Sequence, residues 1–236
     1  MKVIGVIPVV LTEKYPSFIL PALFPIDYDV VDGKRQLRPI IQVVLDGMVN
    51  AGVEMVVCVV NEANMDVMRY FKTGEQFGIP VVYLWTGGNN IAAAVNSAYA
   101  MTRGNTVLMA IPGVVDRKSI IGVLNRHHQG GQAVTVSVAP NASATDGMTN
   151  KGLQLTGVYA WSPRFTEHLR STHLVQPNDS FDEIVSNASR HGMVSVIKYA
   201  HAPMINTTTA YTNLLNMDDQ APEYVPSEPI ILQSEL

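Results

Sequence analysis

The residues best placed to do chemistry fall in short polar breaks between apolar runs. The richest break is Trp85-Thr86-Gly87-Gly88-Asn89-Asn90. Its glycines allow close backbone approach to a ligand, its amides can read a base edge or sugar hydroxyls, and a helix N-terminus is expected to follow. The same composition also describes a plain glycine turn with an asparagine helix cap. A second break, Ile111-Pro112-Gly113-Val114-Val115-Asp116, comes where an α/β enzyme using a divalent cation places a carboxylate. Gly113 offers none. Asp116 is either that carboxylate displaced along the chain or, the more economical role, the N-cap of a helix starting at Arg117. A third, Asp27-Tyr28-Asp29-Val30-Val31-Asp32-Gly33-Lys34-Arg35, gathers three carboxylates and two cations. A metal or phosphate would suit that set, yet Asp32-Gly33 reads more simply as the turn of a solvated hairpin. His127-His128 lie near Gly130-Gly131 at a helix end, where a histidine interacts favourably with the dipole. His168, His173, His191 and His201 show no metal spacing, and Cys58, the single cysteine, sits in apolar company that suits neither a zinc site nor a thiol nucleophile.

The elements that must position these breaks are legible as apolar periodicity. Residues 3–11 form a continuous β-branched run, as a strand covered on both faces does. Further buried strands are expected over 53–60, 79–84, 106–111 and 132–139. Between them the helical spacing predicts helices over 39–51, 64–71, 90–101 and 117–128, with Pro39 opening the first and Gly52 following it. Later strands are expected over 154–161 and 194–199, with helices opened by Ser162-Pro163, over 180–192, and over 206–215. Strand and helix alternating at short spacing is the pattern of a doubly wound, mostly parallel sheet. The fold class is therefore α/β, three-layer and Rossmann-like. Ligands in such sheets bind beyond the carboxyl ends of the strands, which directs attention to residues 8–18, 61–64, 85–90 and 112–116.

Composition narrows the partners. The chain has 236 residues, 47% of them hydrophobic and 15% charged, against roughly 25% charged in an ordinary soluble domain. So apolar a chain can bury enough surface to offset ordering its backbone, which excludes disorder. Its longest apolar runs fall short of the roughly 20 residues of a membrane span, and residues 1–6 lack the apolar stretch and cleavage site of a signal peptide. A cytoplasmic protein with no membrane partner is expected. All 16 Lys and Arg lie in residues 1–198 with 15 acids, while Asp218, Asp219, Glu223, Glu228 and Glu235 give the last 38 residues a net charge of -5. A near-neutral body without a basic run argues against nucleic acid as a partner. The division expected is a domain over 1–216 and an extended acidic tail over 217–236.

The order of landmarks resembles the sugar-phosphate nucleotidylyltransferase family. The resemblance rests on Pro21-Ala22-Leu23-Phe24-Pro25-Ile26, a helix ending in Ala51-Gly52, the strand from Met55 to Val60, Phe71 followed by Phe77-Gly78-Ile79-Pro80-Val81, Tyr83, and the run from Val107 to Pro112. Leu155-Thr156-Gly157-Val158-Tyr159-Ala160-Trp161-Ser162-Pro163 and Ile205-Asn206-Thr207 through Tyr211 are similar to its later landmarks, so the likeness runs over about residues 1–216. It implies a nucleotidyltransferase-like α/β fold that joins a nucleoside triphosphate to a sugar 1-phosphate with magnesium, releasing pyrophosphate. That in-line attack at phosphorus asks the protein mainly to position phosphates and neutralise charge.

The charged signature of the family is what this chain lacks. Where the family has a Gly-rich loop with an arginine, the chain reads Ile7-Pro8-Val9-Val10-Leu11-Thr12-Glu13-Lys14, from which no phosphate nest can form. The lysine expected before Ala22 is Pro21, the metal aspartate expected after the fourth strand is Gly113, and the second, two residues before Asn206, is Met204. The family's mid-chain Glu-Lys-Pro stretch is missing between Pro140 and Gly152. The expectation is a nucleotidyltransferase-like protein that has lost the standard reaction and binds a nucleotide, sugar nucleotide or sugar phosphate, or a partner protein. Its ligand-facing residues would be Thr12, Thr86, Gly87, Gly88, Asn89, Asn90, Gly113 and Asn206, with no cofactor and no metal. The alternatives are an active transferase with a site rebuilt from Lys14, Lys34, Arg35 and Asp116, in which case magnesium is needed, and an assembly subunit that forms a homo-oligomer through its apolar faces and tail.

Overall fold

Buried runs of strand length build the centre of the protein. The computed structural model describes residues 2–10, 21–23, 25–31, 34–114, 116–140, 153–171 and 181–199. In chain order these residues form β1 (Val3–Val9), a 3-10 turn (Pro21–Leu23), β2 (Pro25–Val31), β3 (Lys34–Pro39), α1 (Ile40–Asn50), β4 (Met55–Val60), α2 (Asp66–Phe71) and β5 (Val81–Trp85). There follow α3 (Ile91–Thr102), β6 (Thr106–Ala110), α4 (Arg117–Gln129), β7 (Val134–Pro140), β8 (Leu153–Trp161), α5 (Pro163–Ser171), α6 (Phe181–Arg190) and β9 (Val194–Lys198).

The main sheet has the order β5-β4-β1-β6-β8-β7-β9. β1 pairs in parallel with β4 and β6, β4 with β5, and β7 with β9, while β8 runs antiparallel to both neighbours. Alternation along each strand sends side chains to two cores. On one face Ile7, Val9, Val56, Cys58 and Leu108 meet Ile41, Val44 and Met48 of α1, Phe71 of α2 and Ile120 of α4. On the other, Ile4, Val6, Val57, Val107 and Trp161 meet α3, α5 and α6 through Ala94, Val95, Phe165, Phe181 and Val185. This is the expected three-layer α/β architecture with a mostly parallel, Rossmann-like sheet.

Two local features shape the region around the sheet's carboxyl ends. The pairing of β7 and β8 shifts register between Val136 and Val138. Polar groups freed at this bulge bond to one another: Ser137 donates to the Val158 carbonyl at 3.0 Å and receives the Thr156 hydroxyl at 2.5 Å. Gly157, in the bulge, has φ +81°, and a Cβ there would lie 2.4 Å from Cγ1 of Ile111. The end of β6 thus packs onto a backbone that only glycine allows. Separately, β2 and β3 form the expected hairpin, antiparallel from Pro25↔Pro39 to Val31↔Lys34. Its base is held to α1 by Arg38 on Asp46, and Arg117 at the start of α4 reaches the same carboxylate at 3.3 Å.

The helix expected over 64–71 is shorter. Its first turn is a separate 3-10 turn over Glu62–Asn64, and α2 starts at Asp66. The helix expected over 206–215 and the tail over 217–236 lie outside the described residues. Among those described, no helix is long and apolar enough to cross a membrane.

Candidate functional site

The carboxyl ends of β4 and β5 carry a continuous set of amides and hydroxyls. Val60 ends β4 opposite Trp85, the end of β5, so the two following loops start side by side. The Thr86 amide bonds back to the Val60 carbonyl at 3.0 Å, and its buried hydroxyl accepts from the Gly88 amide at 3.1 Å. Gly88 then passes so close to α3 that a Cβ would sit 2.3 Å from that of Ala93. Asn90 has extended backbone, and its Oδ1 accepts from the Ala93 amide at 2.8 Å, an N-cap for α3.

Asn89 lies between them and points elsewhere. Its Oδ1 accepts from Nδ2 of Asn61 at 3.1 Å, and Oδ1 of Asn61 accepts from Nδ2 of Asn64 at 2.5 Å. Asn61 and Asn64 are 6% and 3% exposed, whereas Asn89 is exposed. A buried amide relay therefore ends in one solvent-facing amide at the sheet's rim. Both buried amides meet hydrogen-bond partners, as polar groups out of water must. Two exposed apolar side chains flank the relay, Trp85 at 55% and Met65 at 47%. Within 61–65 and 85–90 the one charged side chain is Glu62, which is exposed.

The neighbouring ends of β1 and β6 are apolar. Val9 and Val10 are buried. Ile111, Pro112, Gly113 and Val114 make a buried turn closed by the Val114 amide on the Ile111 carbonyl at 3.1 Å. Gly113 thus contributes backbone alone. Asp116 is the N-cap of α4: its Oδ1 accepts from the Lys118 amide at 2.9 Å, and Ser119 donates to its carbonyl at 2.7 Å.

Thr86, Gly87, Gly88, Asn89 and Asn90 are therefore together on one rim, with Gly113 at the end of the third strand along. Lys34 and Arg35 stand elsewhere, at the start of β3 in the hairpin, across from Val31 and Val30. Thr12, Lys14 and Asn206 lie outside the described residues. Asn61 and Asn64 join the rim without having been singled out individually. Their signal was position, since both follow directly on a buried strand. Cys58 is fully buried in β4, and desolvation pushes its thiol well above the usual range, so it stays protonated and unreactive.

Magnesium takes oxygen ligands in octahedral array, commonly one or two carboxylates together with substrate phosphates; among the described residues no three His, Cys, Asp or Glu side chains converge as a metal centre. The Asp116 carboxylate is engaged as a cap, and Gly113 has no side chain. Amides offer donors and acceptors at any pH, but they neither move protons nor neutralise phosphate.

No protein-family model and no curated protein matches the chain. Among solved structures it is similar to a putative glucose-1-phosphate thymidylyltransferase from Bacillus anthracis, solved in complex with a sucrose. The TM-score is 0.73 at 10% sequence identity, covering 94% of this chain and 98% of that one. The two share a fold over nearly their whole lengths.

Proposed function

We propose that this chain is a sugar-nucleotidyltransferase-like protein that has lost the magnesium-dependent transfer and binds the uncharged part of a nucleotide, sugar nucleotide or sugar phosphate at the carboxyl rim of β4 and β5. The observation that carries this reading is the relay Asn64–Asn61–Asn89, which fixes an exposed amide where a doubly wound sheet binds its ligands. Asn90 and the Thr86–Gly88 turn stand beside it.

Three features support the reading. The fold is that of a protein named for acting on glucose 1-phosphate and solved with a sugar. The described rim around the relay carries no cation to meet a triphosphate. Each lost charge-stabilising group is worth several kcal/mol in this kind of chemistry, about 3–4 for one preorganised donor, so losing several together removes the means of rate enhancement. A cytoplasmic location fits a ligand of this class.

The test is to incubate the protein with each nucleoside triphosphate, a panel of sugar phosphates and magnesium, and to assay pyrophosphate. The expected result is no release above background. Turnover at an ordinary enzymatic rate, about 1–1000 per second, would overturn the reading and favour a rebuilt active site.

A further inference from the structure

We propose that β5 is a dimerisation edge, at which a second copy of this chain adds its own β5 antiparallel about a twofold axis through Leu84. The inference starts from backbone parity. β5 ends the sheet and pairs only with β4 among the described strands. The Pro80 carbonyl accepts from Val56, and the Thr86 amide donates to Val60. Even-numbered residues of β5 therefore turn their amide and carbonyl toward β4, and Val81, Tyr83 and Trp85 turn theirs outward. The Val81 amide is met by the Thr73 carbonyl at 2.9 Å. Among the described residues, no backbone group meets Tyr83 or Trp85 on that side.

This free stretch is complementary to itself. With the axis at Leu84, Tyr83 faces Trp85 of the other copy, and each pair exchanges two N–H···O bonds, four in all. Leu84 faces Leu84 as the closer, non-bonded pair. Val81 would face Gly87, an exposed residue at which even an added Cβ would meet nothing within 4 Å, and the ladder stops there because Thr73 already covers the edge at Val81. Tyr83 and Trp85 become cross-strand aromatic neighbours, a favourable pairing. That places Trp85, the most exposed large apolar side chain among the described residues, in an interface.

Charge and composition point to the same partner. Val81–Trp85 is VVYLW, without charge, proline or bulge, so two copies meet without repulsion. Natural edges are ordinarily protected by such features. The opposite edge strand, β9, carries Lys198. The strand is only five residues long, so a reversible dimer with Kd of about 1–100 μM is expected.

The test uses the full chain. Amide hydrogen exchange is followed at low and high protein concentration beside sedimentation equilibrium. The Tyr83 and Trp85 amides should become protected as dimer forms, while Val82 and Leu84, bonded to β4, exchange slowly throughout. Trp85→Pro removes only an outward N–H, and Trp85→Lys sets like charges across the axis. Each should weaken dimerisation by at least about tenfold. The inference is overturned if the chain stays monomeric to about 1 mM, if Tyr83 and Trp85 are protected equally at every concentration, or if both variants dimerise as the parent does.

Discussion

Asn61 donates from Nδ2 to Oδ1 of Asn89 across 3.1 Å, joining the loops that follow two neighbouring strands. With Asn64 on its other end, Asn61 is a buried amide used on both sides. Asn61→Ala leaves a buried donor on Asn64 and frees the Asn89 side chain. The expected cost is about 1–3 kcal/mol in chemical denaturation, with weaker ligand binding through a less ordered Asn89. Asn89→Ala takes the acceptor from the buried Asn61 amide at a more open position, so it should cost less, about 1 kcal/mol, and lower affinity for a sugar nucleotide.

Gly157 is tested by adding one carbon. Gly157→Ala meets both an unfavourable positive φ and the Ile111 side chain, so it should destabilise by about 2–4 kcal/mol in urea melts. Combined with Ile111→Ala it should cost less than the sum of the two single changes, since the second change removes the clash while leaving the backbone strain and a cavity of its own.

Asp46 binds Arg38 and Arg117 together. Arg38 is 11% exposed and Arg117 36%. Asp46→Asn should cost about 1–3 kcal/mol and loosen the β2–β3 hairpin, because it takes a charged partner from a largely buried cation. Arg117→Ala should cost less than about 1 kcal/mol, as a more exposed partner does. Thermal melts of the two variants compare them directly.

His127 gives a pH dependence. Its buried ring lies 3.2 Å from the Thr135 hydroxyl, and burial, then the neighbouring His128, lower its pKa to about 4 from an ordinary 6.5. The folded pKa lies below the unfolded one, so between these values the unfolded chain binds more protons. Its contribution is intact above pH 6.5 and is lost as pH falls through 4, about 2 kcal/mol after allowing for partial solvation. Denaturation of the parent and His127→Gln at pH 7 and pH 4 should show the parent losing more stability.

The sequence carried the elements further than their arrangement. Buried β-branched runs marked β1 and β4, Asn90 marked the start of α3, and Asp32-Gly33 marked the hairpin, because periodicity, caps and turns are local chemistry. Asp116 acts as a cap, the simpler of its two roles. The insertion of antiparallel β8 between β6 and β7 is a choice among distant partners to which local pattern is blind. So is the Asn61–Asn89 bond, which spans 28 residues. The shortening of α2 reflects Asn64, whose side chain turns to Asn61 as its backbone closes the preceding turn. The low charge count was legible at once, and the described rim shows one place where it applies: within 61–65 and 85–90 amides and a hydroxyl stand around the relay and Glu62 alone is charged.

Calorimetric titration in the presence of magnesium and a sugar phosphate tests the central claim most directly, because one trace reports both binding and reaction. Nucleotides and sugar nucleotides are titrated in turn into the full chain. The account predicts saturable heat with Kd below about 1 mM for at least one of them, and a return to baseline after each injection. Sustained reaction heat with a triphosphate, or no binding heat with any ligand of the panel, would contradict it.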